Sequence, residues 1–96
     1  MKNPTPTANE HMKALIADFL STDAKWKEAG RPGMNSFVYA ARACTFQFAM
    51  GALSAYIRCD AISYDDYNAH WNVLYDTFFT KENRETMIAA AEALSA

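Results

Sequence analysis

Apolar residues recur along this chain at three- and four-residue steps and nowhere alternate strictly, a pattern that predicts α-helices and no strands. Thr7-Ala-Asn-Glu10 is a capping box: Thr7 can accept from the amide three residues on, and Glu10 can reach back. The helix it opens carries Met12, Leu15, Ile16, Phe19 and Leu20 on one face and is expected to end near Leu20. Ser21-Thr22-Asp23 then predicts a new cap and a short helix from Ala24 to Ala29, anchored by Trp26. Gly30-Arg31-Pro32-Gly33 stops it, because glycine suits the left-handed position after a helix and proline cannot continue one.

The longest helix is predicted from Asn35 or Ser36 to about Asp60. Two seams run along it: Tyr39, Ala43, Phe46, Met50, Leu53 and Ile57, and beside them Phe37, Ala41, Cys44, Phe48, Gly51 and Ala55. A helix apolar over so much of its circumference is expected to be enclosed by other helices, with Phe46, Met50 and Leu53 among its most buried residues. A narrower strip of Ser36, Ala40, Gln47, Ser54 and Arg58 either meets water or admits another backbone closely. Ser63 is a strong N-cap signal, with Asp65 and Asp66 at the positive helix end and Ile62 placed to staple onto Tyr67. The helix that follows presents Tyr64, Tyr67, Trp71, Leu74 and Phe78 as a seam. Thr80 is expected to cap a last helix with Met87, Ile88, Ala91 and Leu94 on its apolar face. The expected fold is all-α: a compact bundle of four helices plus one short helix, mostly antiparallel neighbours because the connections are short. Residues 1–6 are expected to be a flexible N-terminal tail and residues 7–96 a single helical domain.

Composition narrows the class. With 96 residues, 51% hydrophobic and 21% charged, the chain can close one core without staples. Cys44 and Cys59 lie fifteen residues apart on the predicted long helix, or ~22 Å, which is too far for a disulfide; buried reduced thiols are the expectation. The first ten residues hold no apolar stretch of signal-peptide type, and Phe37 to Ile57 is interrupted by Arg42, Gln47 and Ser54. A cytoplasmic location without membrane insertion is therefore expected. Residues 1–58 carry seven Lys/Arg against four Asp/Glu (+3), and residues 59–96 carry two against seven (−5). That asymmetry speaks against nucleic acid at the C-terminal half, since duplex affinity comes mainly from cations on phosphates.

Chemistry-bearing motifs are sparse. Glu10, His11, Asp66 and His70 could be drawn as a metal site, but no Glu-x-x-His pair supports it, and a solvated histidine beside a helical acid is the better reading of His70. No nucleophile elbow or phosphate loop occurs, so no catalytic residue, cofactor or metal is assigned. The basic cluster Lys13, Lys25, Lys27 and Arg31 supports a nucleic-acid reading only weakly, because the helices after Gly33 and Ser63 are apolar and acidic. Asp60 to Phe79 is different: four aspartates, four Tyr or Trp, and no Lys or Arg. Asp65, Asn68, Asn72, Tyr75 and Asp76 form its candidate partner-binding face, set against the alternative of an ordinary acidic rim on the core.

The expected function is a small regulator or inhibitor that docks on another macromolecule, a protein with a basic surface patch. A phage- or plasmid-type inhibitor of a host defence complex fits the size and acidity. A homodimer sealed along Ala40, Gly51 and Ser54 is a further expectation. The alternatives are a ligand-binding bundle or enzyme with a cavity lined by Phe46, Phe48, Met50, Trp71 and Tyr75, and a nucleic-acid-binding domain that uses the N-terminal lysines.

Overall fold

The computed structural model describes residues 7–80, 88–89 and 91–94. Three long helices carry the fold: α1 (Ala8–Glu28), α2 (Phe37–Arg58) and α3 (Tyr64–Phe78). Residues 88–89 and 91–94 are also helical, and no strand occurs among the described residues. The all-α class holds, with three long helices packed together among the described residues. The tail at 1–6 and the Met87 position lie outside the described residues. No helix among them is long and apolar enough to cross a membrane.

All three helix starts follow local chemistry. Thr7 and Glu10 form the capping box, Ser36 accepts from the Tyr39 amide, and Ser63 accepts from the Asp66 amide. The predicted break at Ser21-Thr22-Asp23 does not occur, and α1 runs through it. Thr22 donates back to the Phe19 carbonyl, a bond a helix interior tolerates, and Asp23 is turned into the protein instead of capping a new turn. Two helices end the same way. After α1, Gly30 (φ 87°) lets the Arg31 amide return to the Trp26 carbonyl at 2.9 Å. After α2, Asp60 (φ 58°) lets the Ala61 amide return to Tyr56, also at 2.9 Å.

The side-chain links fix the directions. The start of α1 meets the end of α2 through His11 and Tyr56, while its end meets the start of α2 through Asp23 and Arg42. Arg42 also reaches the last carbonyls of α3, so α2 lies antiparallel to both neighbours. Asn9 meets Asp66, so α1 and α3 start at the same end and run parallel. The core is a cluster of Met12, Ile16, Phe19, Phe46, Ala49, Leu53, Ile62 and Leu74. Phe46 and Leu53 are buried as expected and Met50 is half-buried. Phe46 stacks on Phe78 with centroids 4.0 Å apart and ring planes 12° from parallel.

The second seam of α2 is a correction. Phe37 is 88% exposed and Phe48 69%, with Cys44, Gly51 and Ala55 exposed beside them. Two neighbouring helices cover only one side of α2, so an all-round apolar helix leaves the other side uncovered. Cys44 and Cys59 are both free and exposed, not buried core thiols. Tyr64 is likewise 70% exposed rather than part of the α3 seam.

Candidate functional site

Along α3 the candidate residues separate by helical angle. Asp65, Asn68, Asn72 and Asp76 recur at three- and four-residue steps, stand exposed, and form one stripe opposite the buried Leu74. Ala69 and Val73 are exposed along one edge of the stripe, Tyr64 and Tyr75 along the other, with Tyr75 half-buried. The Tyr75 ring is stacked at 4.3 Å on Trp71 and lies 4.7 Å from Phe79, so it belongs to an aromatic ladder that presents only its edge to the stripe. The structure therefore brings all five candidates to one face, four fully outward and one supporting them.

Asp66 stands apart from that stripe. Its Oδ2 accepts from Asn9 Nδ2 at 2.8 Å, and His70 Nε2 lies 2.9 Å from Asn9 Oδ1. A carboxylate only accepts, so Asn9 turns its amide nitrogen to Asp66 and its oxygen to His70, whose Nε2 must then carry the proton. Hydrogen bonds from Asn9 and then Ser63 hold the Asp66 carboxyl below the ordinary carboxylate range; His70 and Lys13 add to the effect and partial desolvation opposes it. The four groups drawn as a metal site are engaged separately. Glu10 closes its capping box and His11 meets the Tyr56 hydroxyl, while Asp66 and His70 share Asn9. No group of three or more metal-ligating side chains is assembled among the described residues.

The constellation missed in the sequence lies at the opposite end of the molecule. Arg42 and Asp23 are each only 3% exposed, and Arg42 Nε donates to Asp23 Oδ1 at 2.6 Å. The guanidinium is sandwiched between Trp26 (4.1 Å to the centroid) and Phe78 (4.4 Å), and its Nη2 donates to the Phe78 and Thr77 carbonyls. Lys27 adds a second cation on Asp23 at 2.9 Å. One arginine thus neutralises an acid of α1, covers an aromatic ring on either side, and caps the negative end of α3. A lone arginine in an otherwise apolar helix was the available signal; its partner nineteen residues earlier was not legible.

The proposed cavity residues do not meet, because Phe46 points into the core while Phe48 is exposed on the opposite side of α2. A shallow depression of about 430 Å³ lies instead on that outer face, lined by Cys44, Gln47, Phe48, Gly51 and Ala52. The N-terminal cations are spread along α1. Lys13 and Lys25 are twelve residues apart, about 18 Å of helix and a third of a turn, and Lys27 is paired with Asp23.

No protein-family model, no curated protein and no solved structure matches this chain. Function is read from the surfaces themselves, since an all-α arrangement does not imply an activity.

Proposed function

We propose that this protein acts by binding another protein through the outward face of α3, and that the partner presents a basic patch. The observation that carries the reading is the exposed stripe Asp65, Asn68, Asn72 and Asp76, flanked by exposed Val73 and Tyr64 and backed by the Trp71–Tyr75–Phe79 ladder. Carboxylates and amides on a rigid helix give directional bonds and an attractive field, the adjoining apolar edges give area, and the stacked rings limit the entropy lost on docking. The charge separation of the chain acts in the same direction, with the acidic half steering a cationic surface toward α3. A small regulator or inhibitor works in this way, by occupying a surface instead of transforming a substrate. A phage- or plasmid-type inhibitor of a host defence complex is one instance of that class.

The test compares the immobilised full chain with an Asp65→Lys/Asn72→Lys variant in low-salt lysate of the source cells. Both positions are exposed and outside the core, and Asp65 stands in the first turn of α3 where a cation opposes the helix dipole, so the far-UV signal should be unchanged and stability should fall by no more than about 2 kcal/mol. The expected result is a protein retained by the parent, released by salt, and lost or slowed at least tenfold in association by the variant. Equal retention by both chains would overturn the assignment of the face.

A further inference from the structure

We infer that the outer face of α2 seats a second copy of this chain, packed antiparallel about a twofold axis between Gln47 and Phe48. The exposed positions of α2 are Phe37, Ala40, Cys44, Gln47, Phe48, Gly51, Ala55 and Arg58. They lie within about 100° of the helix circumference, and only Gln47 and Arg58 among them are polar. A contiguous apolar strip of this kind on a helix of 22 residues marks an interaction surface rather than scattered exposure.

The strip is self-complementary. Turned antiparallel about its midpoint, it pairs Phe37 with Arg58, Ala40 with Ala55, Cys44 with Gly51, and Gln47 with Phe48, so every exposed position meets another exposed position. Bulky groups fall opposite small or flexible ones, and Phe48 enters the depression that Cys44, Gln47 and Gly51 line on the partner copy. A C2 contact requires this property, the same patch serving both sides. Charge selects the direction. The only charges on α2 are Arg42, which is buried, and Arg58, which is exposed at the C-terminal end. Parallel packing would set two Arg58 side chains together, whereas antiparallel packing separates them and lays each guanidinium against a Phe37 ring.

The area is sufficient for an associating dimer and no more. With Phe37 88% and Phe48 69% exposed, two rings of roughly 200 Å² give about 300 Å² per copy. With the small residues between them the total approaches about 1,000 Å² over both copies, the lower bound of specific interfaces. Among the described C-terminal residues, Ile88 and Leu94 stand 57% and 90% exposed and do not supply the cover. Close approach is also open at the centre: a Cβ added at Gly51 would meet nothing within 4 Å in the single chain.

Gly51 makes a clean test. Gly51→Leu adds bulk that the single chain accommodates and that a seated second copy does not, and leucine favours the helix more than glycine. Phe48→Glu places a charge where the ring would be buried. Sedimentation velocity and light scattering of the full chain from about 5 to 500 µM should show a monomer–dimer equilibrium, with both variants raising the dissociation constant about thirtyfold or more. Their circular dichroism at the lowest concentration should match the parent, and Asp65→Lys/Asn72→Lys should dimerise as the parent does. A chain that stays monomeric at 500 µM, one that builds species beyond the dimer, or a dimer indifferent to both α2 substitutions overturns the inference.

Discussion

The inward face of α2 carries Arg42, Phe46, Ala49 and Leu53, and the outward face carries Phe37, Cys44, Phe48 and Gly51. The outward set holds two phenylalanines and a cysteine, yet the set with the arginine is the one enclosed. Transfer energies of isolated side chains do not decide between them; available partners do. On the inward side Asp23 offers a counter-charge, Trp26 and Phe78 offer two ring faces, and the end of α3 offers two carbonyls, so nothing on Arg42 is buried without compensation. On the outward side no helix among the described residues completes the enclosure, and the apolar strip stays exposed.

The strongest way to break this comparison is to remove one member of the buried pair. Asp23→Leu leaves the Arg42 guanidinium enclosed without its carboxylate, and a loss of about 3–5 kcal/mol in urea unfolding is expected. The double variant Asp23→Leu/Arg42→Met should recover much of that loss, because the cost lies in the orphaned charge. If the single variant is as stable as the parent, Arg42 is not held as described.

Next comes the phenylalanine pair two residues apart. Phe46→Ala opens a hole beneath Phe19 and Phe78 and should cost about 3–4 kcal/mol. Phe48→Ala, measured at low micromolar concentration, should change stability by no more than about 0.5 kcal/mol. Equal losses at the two positions would mean that the faces are assigned the wrong way round.

The smallest effect comes from Asp66, a half-buried acid held by hydrogen bonds and not by a buried cation. Asp66 is charged more readily in the fold than in the unfolded chain, so its contribution is complete above the ordinary value of 3.8 and disappears as pH falls through the lowered folded value. An acid titration of stability should therefore lose part of its slope below pH 3.8 in an Asn9→Ala variant, which lacks the largest cause of the shift. An unchanged slope would remove Asn9 from that role.

Much of the molecule was determined by short-range signals in the chain. Thr7, Ser36 and Ser63 specify the three starts because a side-chain oxygen satisfies an amide within three residues, and Gly30 specifies a stop because glycine takes the left-handed conformation without strain. The all-α class follows from periodicity, and the stripe of Asp65, Asn68, Asn72 and Asp76 from spacing on one helix. What tertiary structure alone decided was which side of α2 faced inward, that Ser21-Thr22-Asp23 was a passage and not a boundary, and that both cysteines lay outside. These turn on contacts between residues distant in the chain, Thr22 with Thr45 and Asp23 with Arg42, which local patterning does not encode. A helix apolar all round has no moment strong enough to orient it, so the choice of face passes to whichever side finds a partner for its one buried charge.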